Sequence, residues 1–223
     1  MIIKLINSPI LFHLPIIFIG INFRSIKSKR KKDIILRKNK IRVGSYLYPM
    51  PVVIIGVNVK DKPNFMPLAW VSIVEYKPPI ISISSHQGHN TNIGIKENQT
   101  FSVNTPSKEL VIPMDYCGLK SGKEIDKSDI FDTFYGELKT APMIKASPLN
   151  LECRVVKTIE LETGHDIFLG EIINAYSEDK FLTNGIPDVK KMNVIFFSMN
   201  DNNYWEIGDH VGRAWSIGKS YKK

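Results

Sequence analysis

Short β-branched segments, separated by turn residues at close intervals, fill most of the chain beyond residue 40. The clearest is residues 51–59, PVVIIGVNV, whose nearly continuous apolar character is typical of a strand buried on both faces. Many short strands with few helices favour a mainly β fold, a closed or partly closed antiparallel barrel. The other segments with strand character are residues 65–76, 80–85, 100–106 and, as the last strand, 193–199.

Turns and two short helices are predicted between these strands. Gly, Pro, Asn and Asp mark the turns, and Ser or Thr precedes each helical segment in a capping position. No internal repeat or interdomain linker interrupts the pattern. The predicted elements are a turn over 60–64, a break at Pro78-Pro79, a helix over 90–98 capped by Thr91, a helix over 107–118 opened by Ser107, and a hairpin of 149–164 with 165–177 that turns at Thr163-Gly164.

The formal net charge of +8 is unevenly distributed along the chain. Residues 1–40 carry ten basic side chains and one acidic one, whereas residues 41–223 have a net charge of −1. A basic surface would indicate a nucleic-acid or membrane partner. Because the body of the chain is nearly neutral, we expect no nucleic-acid partner and no membrane association for it.

The first forty residues are predicted to lie outside the fold. Their apolar run, residues 9–23, contains Pro15 and is shorter than the roughly 20 residues that span a bilayer. Basic residues 24–32 follow where a signal peptide would have its cleavage site. We expect a start-site extension or dispensable tail, with a short membrane anchor and a basic arm as the alternatives. Residues 41–223 are then the single domain.

Several kinds of site are not indicated by the sequence. Cys117 and Cys153 are too few for a disulfide scaffold and predict reduced thiols in a cytoplasmic protein. His86 and His89 are close in sequence, but the spacing of the histidines and cysteines does not predict a metal site. No dinucleotide-binding glycine fingerprint and no Gly-x-Ser-x-Gly elbow is present, and residues 118–124, GLKSGKE, fail the phosphate-loop spacing and predict a turn.

Polar residues cluster where the 80–85 strand ends and the next helix begins. Hydroxyl groups beside the free N–H groups of a helix N-terminus are typical of a phosphate-binding site. An ordinary capped turn would have the same composition, so both interpretations stay open. The residues concerned are Ser82, Ser84, Ser85, Gly88, His89, Asn90 and Thr91.

Residues 64–127 carry a series of motifs in a distinctive order: an Asn-x-Met segment, an Ala-Trp strand, a Pro-Pro break, a Ser-rich strand, an Asn-Thr helix start, an Asn-x-Pro, then DYCG and SGKEIDK. LECRVV, HDIFLGEI and a terminal YWEIGDHVG continue the series. Together these motifs resemble the flavin reductase-like, FMN-binding split-barrel family, and within it the flavoredoxin branch. The resemblance covers about residues 43–219.

The resemblance implies a six-stranded split β-barrel of Greek-key type that forms a homodimer and holds FMN non-covalently near the subunit interface. It places His89 where related proteins often have an arginine. It also aligns Cys117 with a cysteine common in this branch, either a packed side chain or a redox or iron contact. The implied FMN-binding residues are Asn64, Met66, Pro67, Ala69 and Trp70 along the ring and ribityl chain, Ser84, Ser85, His89, Asn90 and Thr91 around the phosphate, and Asn104 and Pro106 at the border of the ring.

Three functions follow from this resemblance. The first is an FMN-dependent oxidoreductase that takes hydride from NAD(P)H, with the flavin supplying the chemistry. The second is an electron-transfer flavoprotein that exchanges electrons with a redox protein and does not turn over NAD(P)H. The third is a flavin-binding protein without catalysis.

Overall fold

A computed structural model of the chain describes residues 38–222. The chain divides into two units, Met1–Val43 and Gly44–Lys223. In the first unit, residues 38–43 contain no helix or strand, and the predictions for residues 1–37 lie outside the described residues. Within the described range, no helix is long and apolar enough to cross a membrane.

Strands dominate the second unit, as predicted, and two short α-helices accompany them. The α-helices are α1 (Asn90–Asn98) and α2 (Val111–Leu119), and 3₁₀ turns cover Lys108–Leu110, Asp179–Phe181 and Ile217–Ser220. The strands are β1 (Met50–Pro51), β2 (Val53–Val59), β3 (Lys62–Leu68), β4 (Val71–Tyr76), β5 (Pro79–His86), β6 (Thr100–Thr105), β7 (Thr133–Phe134), β8 (Met143–Ile144), β9 (Leu149–Glu160), β10 (His165–Tyr176), β11 (Leu182–Thr183), β12 (Ile186–Pro187), β13 (Ile195–Ser198) and β14 (Asn203–Glu206).

The main sheet is antiparallel, with strand order β3-β2-β6-β9-β10-β5-β4. Its edge strands, β3 and β4, are separated in the chain by Ala69 and Trp70 alone. In a flat seven-stranded sheet the edges would lie about 29 Å apart, whereas this link spans at most about 11 Å. The sheet must therefore curl until its edges meet, and the backbone N–H of Ser84 donates to the Trp70 carbonyl at 2.9 Å beside the link. The result is the predicted split barrel, with seven strands in its sheet and not the six that were expected.

Strand β2 is buried on both faces, which confirms the prediction from its apolar run. Val53, Ile55 and Val57 pack in one core with α1 and the central strands. Ile54, on the opposite face, packs in a second core with Phe65 and α2. Each fully buried side chain of this size contributes about 1.5–3 kcal/mol through removal of apolar surface from water. Strand β2 thus holds the two helices on opposite sides of itself.

The predicted 149–164 and 165–177 hairpin is confirmed as β9 and β10, with Gly164 at φ +98° in the turn. Four other boundaries were wrong. The helix predicted over 107–118 is instead a 3₁₀ turn at Lys108–Leu110 followed by α2, which begins at Val111 and ends at Leu119. The 60–64 turn is shorter, because Lys60 and Asp61 both adopt positive φ and form a two-residue turn between β2 and β3. Residues 65–76 are two strands and not one, and β14 follows the predicted last strand and pairs with it.

Helix α1 lies close enough to β2 that a side chain at Gly94 would collide with the sheet. A Cβ there would lie 2.4 Å from the Asn58 backbone oxygen, which cannot move without disturbing β2. We expect Gly94→Ala to lower the free energy of unfolding by about 1–3 kcal/mol, the usual range for overpacking. Urea unfolding followed by circular dichroism measures this. In Gly208→Ala, where a Cβ meets nothing within 4 Å, we expect little change, and equal stability of the two variants would contradict the close approach.

Candidate functional site

The turn from β5 into α1 exposes hydrogen-bond donors at a helix N-terminus. His89 is the N-cap residue, and no side chain caps the helix, so the predicted capping by Thr91 is wrong. In the described chain, the backbone N–H groups of Asn90 and Thr91 have no acceptor. Thr91 lies in the first turn, where its Oγ1 accepts a hydrogen bond from Asn64 Nδ2 at 2.9 Å and keeps its own hydrogen free to donate.

Ser85 and His89 form a pair beside these donors. Ser85 Oγ lies 3.0 Å from His89 Nδ1 and 4.0 Å from the sulfur of Met66, its second acceptor. Burial lowers the pKa of His89 below its ordinary value, and the neighbouring His86, His165, Lys127 and Lys123 lower it further. The imidazole is therefore neutral near pH 7.

A cleft of about 340 Å³ opens at this helix end. A wider outer cleft of about 640 Å³ shares Asn64, Asn90 and Lys127 with it. The predicted turn over 118–124 was partly wrong, because Gly118 and Leu119 end α2, and the irregular segment 120–124 follows them along one wall of the cleft. A Cβ on Gly122 would lie 2.2 Å from Asn64 Oδ1 and 2.8 Å from Asn90 Nδ2. The residues lining the smaller cleft include Asn64, Met66, Pro67, His89, Asn90 and Thr91 of the predicted set.

Lys127 places a buried cation in this cleft. The side chain is 5% exposed, and its Nζ donates to the backbone oxygens of Cys117 at 2.7 Å and Phe65 at 3.1 Å. Among residues 38–222, no carboxylate forms an ion pair with it. Burial lowers the pKa of Lys127, which reflects the cost of holding this charge without an anion. An ammonium group has three donors, so one remains for a ligand.

Asp166 on β10 fixes the turn that carries the cleft. Its buried carboxylate accepts hydrogen bonds from Gln87 and Asn92, each at 3.1 Å, and pairs with Lys96 at 3.0 Å. Burial alone would raise the pKa of Asp166, but these partners lower it below its ordinary value. Asp166 is therefore a positioning residue that ties both ends of the turn to the β9–β10 hairpin.

A row of aromatic rings leads from the cleft to a second depression. His86 and His165 are directly opposite each other on β5 and β10, with ring centroids 5.4 Å apart. His86 also contacts His89 at 5.8 Å, and His165 stacks at a 30° tilt on Trp70 at 5.0 Å. We call Trp70, His165, His86 and His89 the ring row.

The second depression, which we call the Trp70 groove, has a volume of about 400 Å³. Ala69, Trp70 and Ser84 line it, with apolar neighbours such as Leu47 and Ile167. Ser84 and Ser85 were both expected near one phosphate, but successive side chains of a strand point to opposite faces. The structure accordingly places Ser85 beside His89 at the cleft and Ser84 in the Trp70 groove.

Asn104 and Pro106 line neither the clefts nor the Trp70 groove. The Asn104 amide is fully buried and hydrogen-bonded: it donates to Ile54 O and Ser102 Oγ and accepts from Ile144 N and Asn150 Nδ2. These contacts tie β2, β8 and β9 to β6. The two residues were expected to border the ring, and that expectation remains a prediction.

Lys127, Gly122 and Asp166 were not predicted as site residues. Lys127 and Gly122 belong to the SGKEIDK motif that carries the family resemblance, but a lysine or glycine there has no local signal of burial. Among residues 38–222, no group of three or more His, Cys, Asp or Glu could hold a metal ion. What the cleft offers is a set of donors: helix N–H groups, a hydroxyl, an imidazole and a buried ammonium. This set fits a phosphate monoester.

Comparison with known proteins agrees with this geometry. The family described as "Flavin reductase like domain" matches residues 45–186. A flavoredoxin from Methanosarcina acetivorans is 51% identical, with 82% of this chain and 99% of that chain covered and a TM-score of 0.79. Flavoredoxin of Desulfovibrio vulgaris is 29% identical over 82% of this chain and 100% of that chain, with a TM-score of 0.76. An uncharacterized protein of Archaeoglobus fulgidus is 34% identical over 170 residues, 75% of this chain and 94% of that one.

The chain therefore belongs to the flavin reductase-like family, and its class is that of a flavin-binding redox protein. Within the family it belongs to the flavoredoxin branch.

Both cysteines are free and buried, and Cys117 packs in the second core below the cleft. Burial raises the pKa of the Cys117 thiol to about 11, although Lys127 opposes this, and burial also raises the pKa of Cys153. Since the thiolate is the reactive form, we expect neither cysteine to react with a thiol-specific reagent at pH 8 in the folded protein. In guanidinium chloride both should react. Fast labelling of folded Cys117 would contradict the packed role and favour a redox one.

Proposed function

We propose that the chain binds FMN and transfers hydride or electrons through it. The observation that carries the proposal is the buried Lys127 side chain, which has no carboxylate partner in the described chain and lines the same cleft as the N-terminus of α1. A phosphate dianion would compensate this charge and accept from the free N–H groups at the same time. FMN ends in such a phosphate, which favours it over FAD.

The residues of the cleft would act together on the phosphate. The Thr91 hydroxyl and the N–H groups of Asn90 and Thr91 donate to it, and Lys127 supplies the fixed charge that the neutral His89 lacks. Asn64 orients the Thr91 hydroxyl, and Asp166 holds the turn. When bound, FMN supplies a ring that accepts a hydride or single electrons, and the protein supplies its position and surroundings.

The flavin ring would lie towards the Trp70 groove, since residues 64–70 run from the cleft to this groove. We propose a homodimer that covers the groove. In support, edge strand β4 exposes Ile73, Val74 and Tyr76 beside it. A large exposed apolar surface on an unpaired edge strand is typical of an interface. The free, buried cysteines agree with a cytoplasmic location, which is part of the proposal.

The electron donor is either NAD(P)H or a redox protein. We expect the purified protein to be yellow and to be bleached by NADH or NADPH in the absence of oxygen. Bleaching by reduced ferredoxin but not by NADH or NADPH would support the electron-transfer flavoprotein. A yellow protein that no physiological reductant bleaches would support flavin binding without catalysis. A colourless protein that does not take up added FMN would refute the proposal.

The proposed phosphate-binding site can be tested with Lys127→Met, which keeps the length of the side chain and removes its charge. We expect the Kd for FMN to rise about 10- to 100-fold, because a hydrogen bond to a charged group contributes about 1.5–3 kcal/mol. Isothermal titration calorimetry measures this. Lys180→Met, which changes an exposed lysine, should leave the Kd unchanged.

Riboflavin, which lacks the phosphate, separates a lost contact from a damaged fold. Its affinity should be nearly the same for Lys127→Met and the unsubstituted protein. Thr91→Ala combined with Ser85→Ala should likewise weaken FMN binding more than riboflavin binding. An equal loss for the two ligands would mean that the phosphate lies elsewhere.

A further inference from the structure

The ring row brings three of the five histidines of the chain to one side of the smaller cleft, where we propose that the phosphate binds. His165 and His86 are opposed in the strand register, and His89 follows His86 across the turn into α1. Nδ1 of His86 accepts a hydrogen bond from the Gly88 N–H at 3.1 Å, which fixes this ring. Among the three, His89 lines the cleft itself.

The surroundings of His89 oppose a positive charge on it while the cleft holds no anion. The groups that face it are His86 from β5, His165 from β10, and Lys123 and Lys127 from the segment after α2. Glu124, which also lines the cleft, is the acidic group on that side, and Cys117 of α2 is neutral at pH 7 because its pKa is raised to about 11. Cationic neighbours and burial both lower the pKa of His89.

Ser85 can serve His89 in either protonation state. With His89 neutral, the Ser85 hydroxyl donates to Nδ1 at 3.0 Å. With His89 protonated, Nδ1 donates to the same oxygen, and the Ser85 hydrogen turns to the Met66 sulfur at 4.0 Å. The ring keeps its partner in both states, and the other ring nitrogen carries a hydrogen throughout. Protonation therefore leaves the hydrogen bond between Ser85 and His89 in place.

We propose that His89 couples phosphate binding to proton uptake: it gains a proton from solvent as the flavin phosphate enters, while its partial burial beside Lys127 in the cleft keeps it neutral beforehand. The inference rests on the proposed function. A dianion within about 4–6 Å raises the pKa of an imidazole by about 1–3 units. His89 would then add a second positive charge to that of Lys127 only while the phosphate is bound, whereas an arginine would carry its charge at all times.

The sign of the pH dependence follows from this uptake. Binding that takes up protons becomes tighter as the pH falls. Between pH 8.0 and 6.5, we expect the Kd for FMN of the unsubstituted protein to fall about three- to tenfold more than the Kd of a variant without the titrating ring. His89→Gln is the matched variant, because glutamine keeps a donor and does not titrate. The comparison also cancels the second ionisation of the phosphate, near pH 6.

Proton uptake can be counted directly by calorimetry of FMN binding at pH 7.5 in buffers of different ionisation enthalpy. We expect uptake of about 0.2–0.5 proton by the unsubstituted protein with FMN. Riboflavin with the unsubstituted protein, and FMN with His89→Gln, should show none. His86→Gln, which keeps His89 and Lys127, should still take up a proton.

FMN binding without proton uptake would overturn the inference and leave the proposed function standing, as would unchanged uptake in His89→Gln. Equal proton uptake with riboflavin would also overturn the inference, because the uptake would then not depend on the phosphate. This measurement uses only the unsubstituted protein, so it does not depend on the folding of a variant. If FMN does not bind at all, the proposed function fails and the inference fails with it.

Discussion

The two-residue link between the edge strands is the constraint on which the rest of the structure depends. Ala69 and Trp70 join β3 to β4, which lie at opposite edges of the seven-stranded sheet, so the sheet has to close. Closure brings the end of β5 beside β3. As a result, Asn64 reaches Thr91 and Ser85 reaches Met66, although 27 and 19 positions separate them. The cleft at the start of α1 is thus a consequence of the way the barrel closes.

The buried Lys127 side chain lowers the stability of the fold. An amine held at 5% exposure without a carboxylate partner is unfavourable, and two backbone oxygens offset only part of its lost hydration. A hydrophobic residue of the same length would cost less at this position. An anion reverses this balance, since the low local dielectric that makes the lone cation costly also strengthens its attraction to a phosphate.

Sequence periodicity predicts those parts of the fold in which the burial of a residue follows from its neighbours in the sequence. Strand β2 was correctly predicted because Ile54 and Ile55 enter different cores. The break at Ala69-Trp70 was missed, because the apolar pattern continues across a link whose position is set by closure of the sheet. Lys127 could not be singled out for a related reason. Its partner Phe65 is 62 positions away, and nothing local distinguishes a buried lysine from an exposed one.

Strand register joins the two halves of the candidate site. Because His165 is opposite His86, ring contacts run from Trp70 in the groove to His89 at the cleft. A slip of β10 by one residue relative to β5 would turn His165 to the other face of the sheet, away from His86, and would also remove Asp166 from Asn92. The hydrogen bonds of Asp166 and the packing of Phe168 in the barrel core oppose such a slip. The interactions that stabilise the β9–β10 hairpin therefore also determine which groups line the cleft.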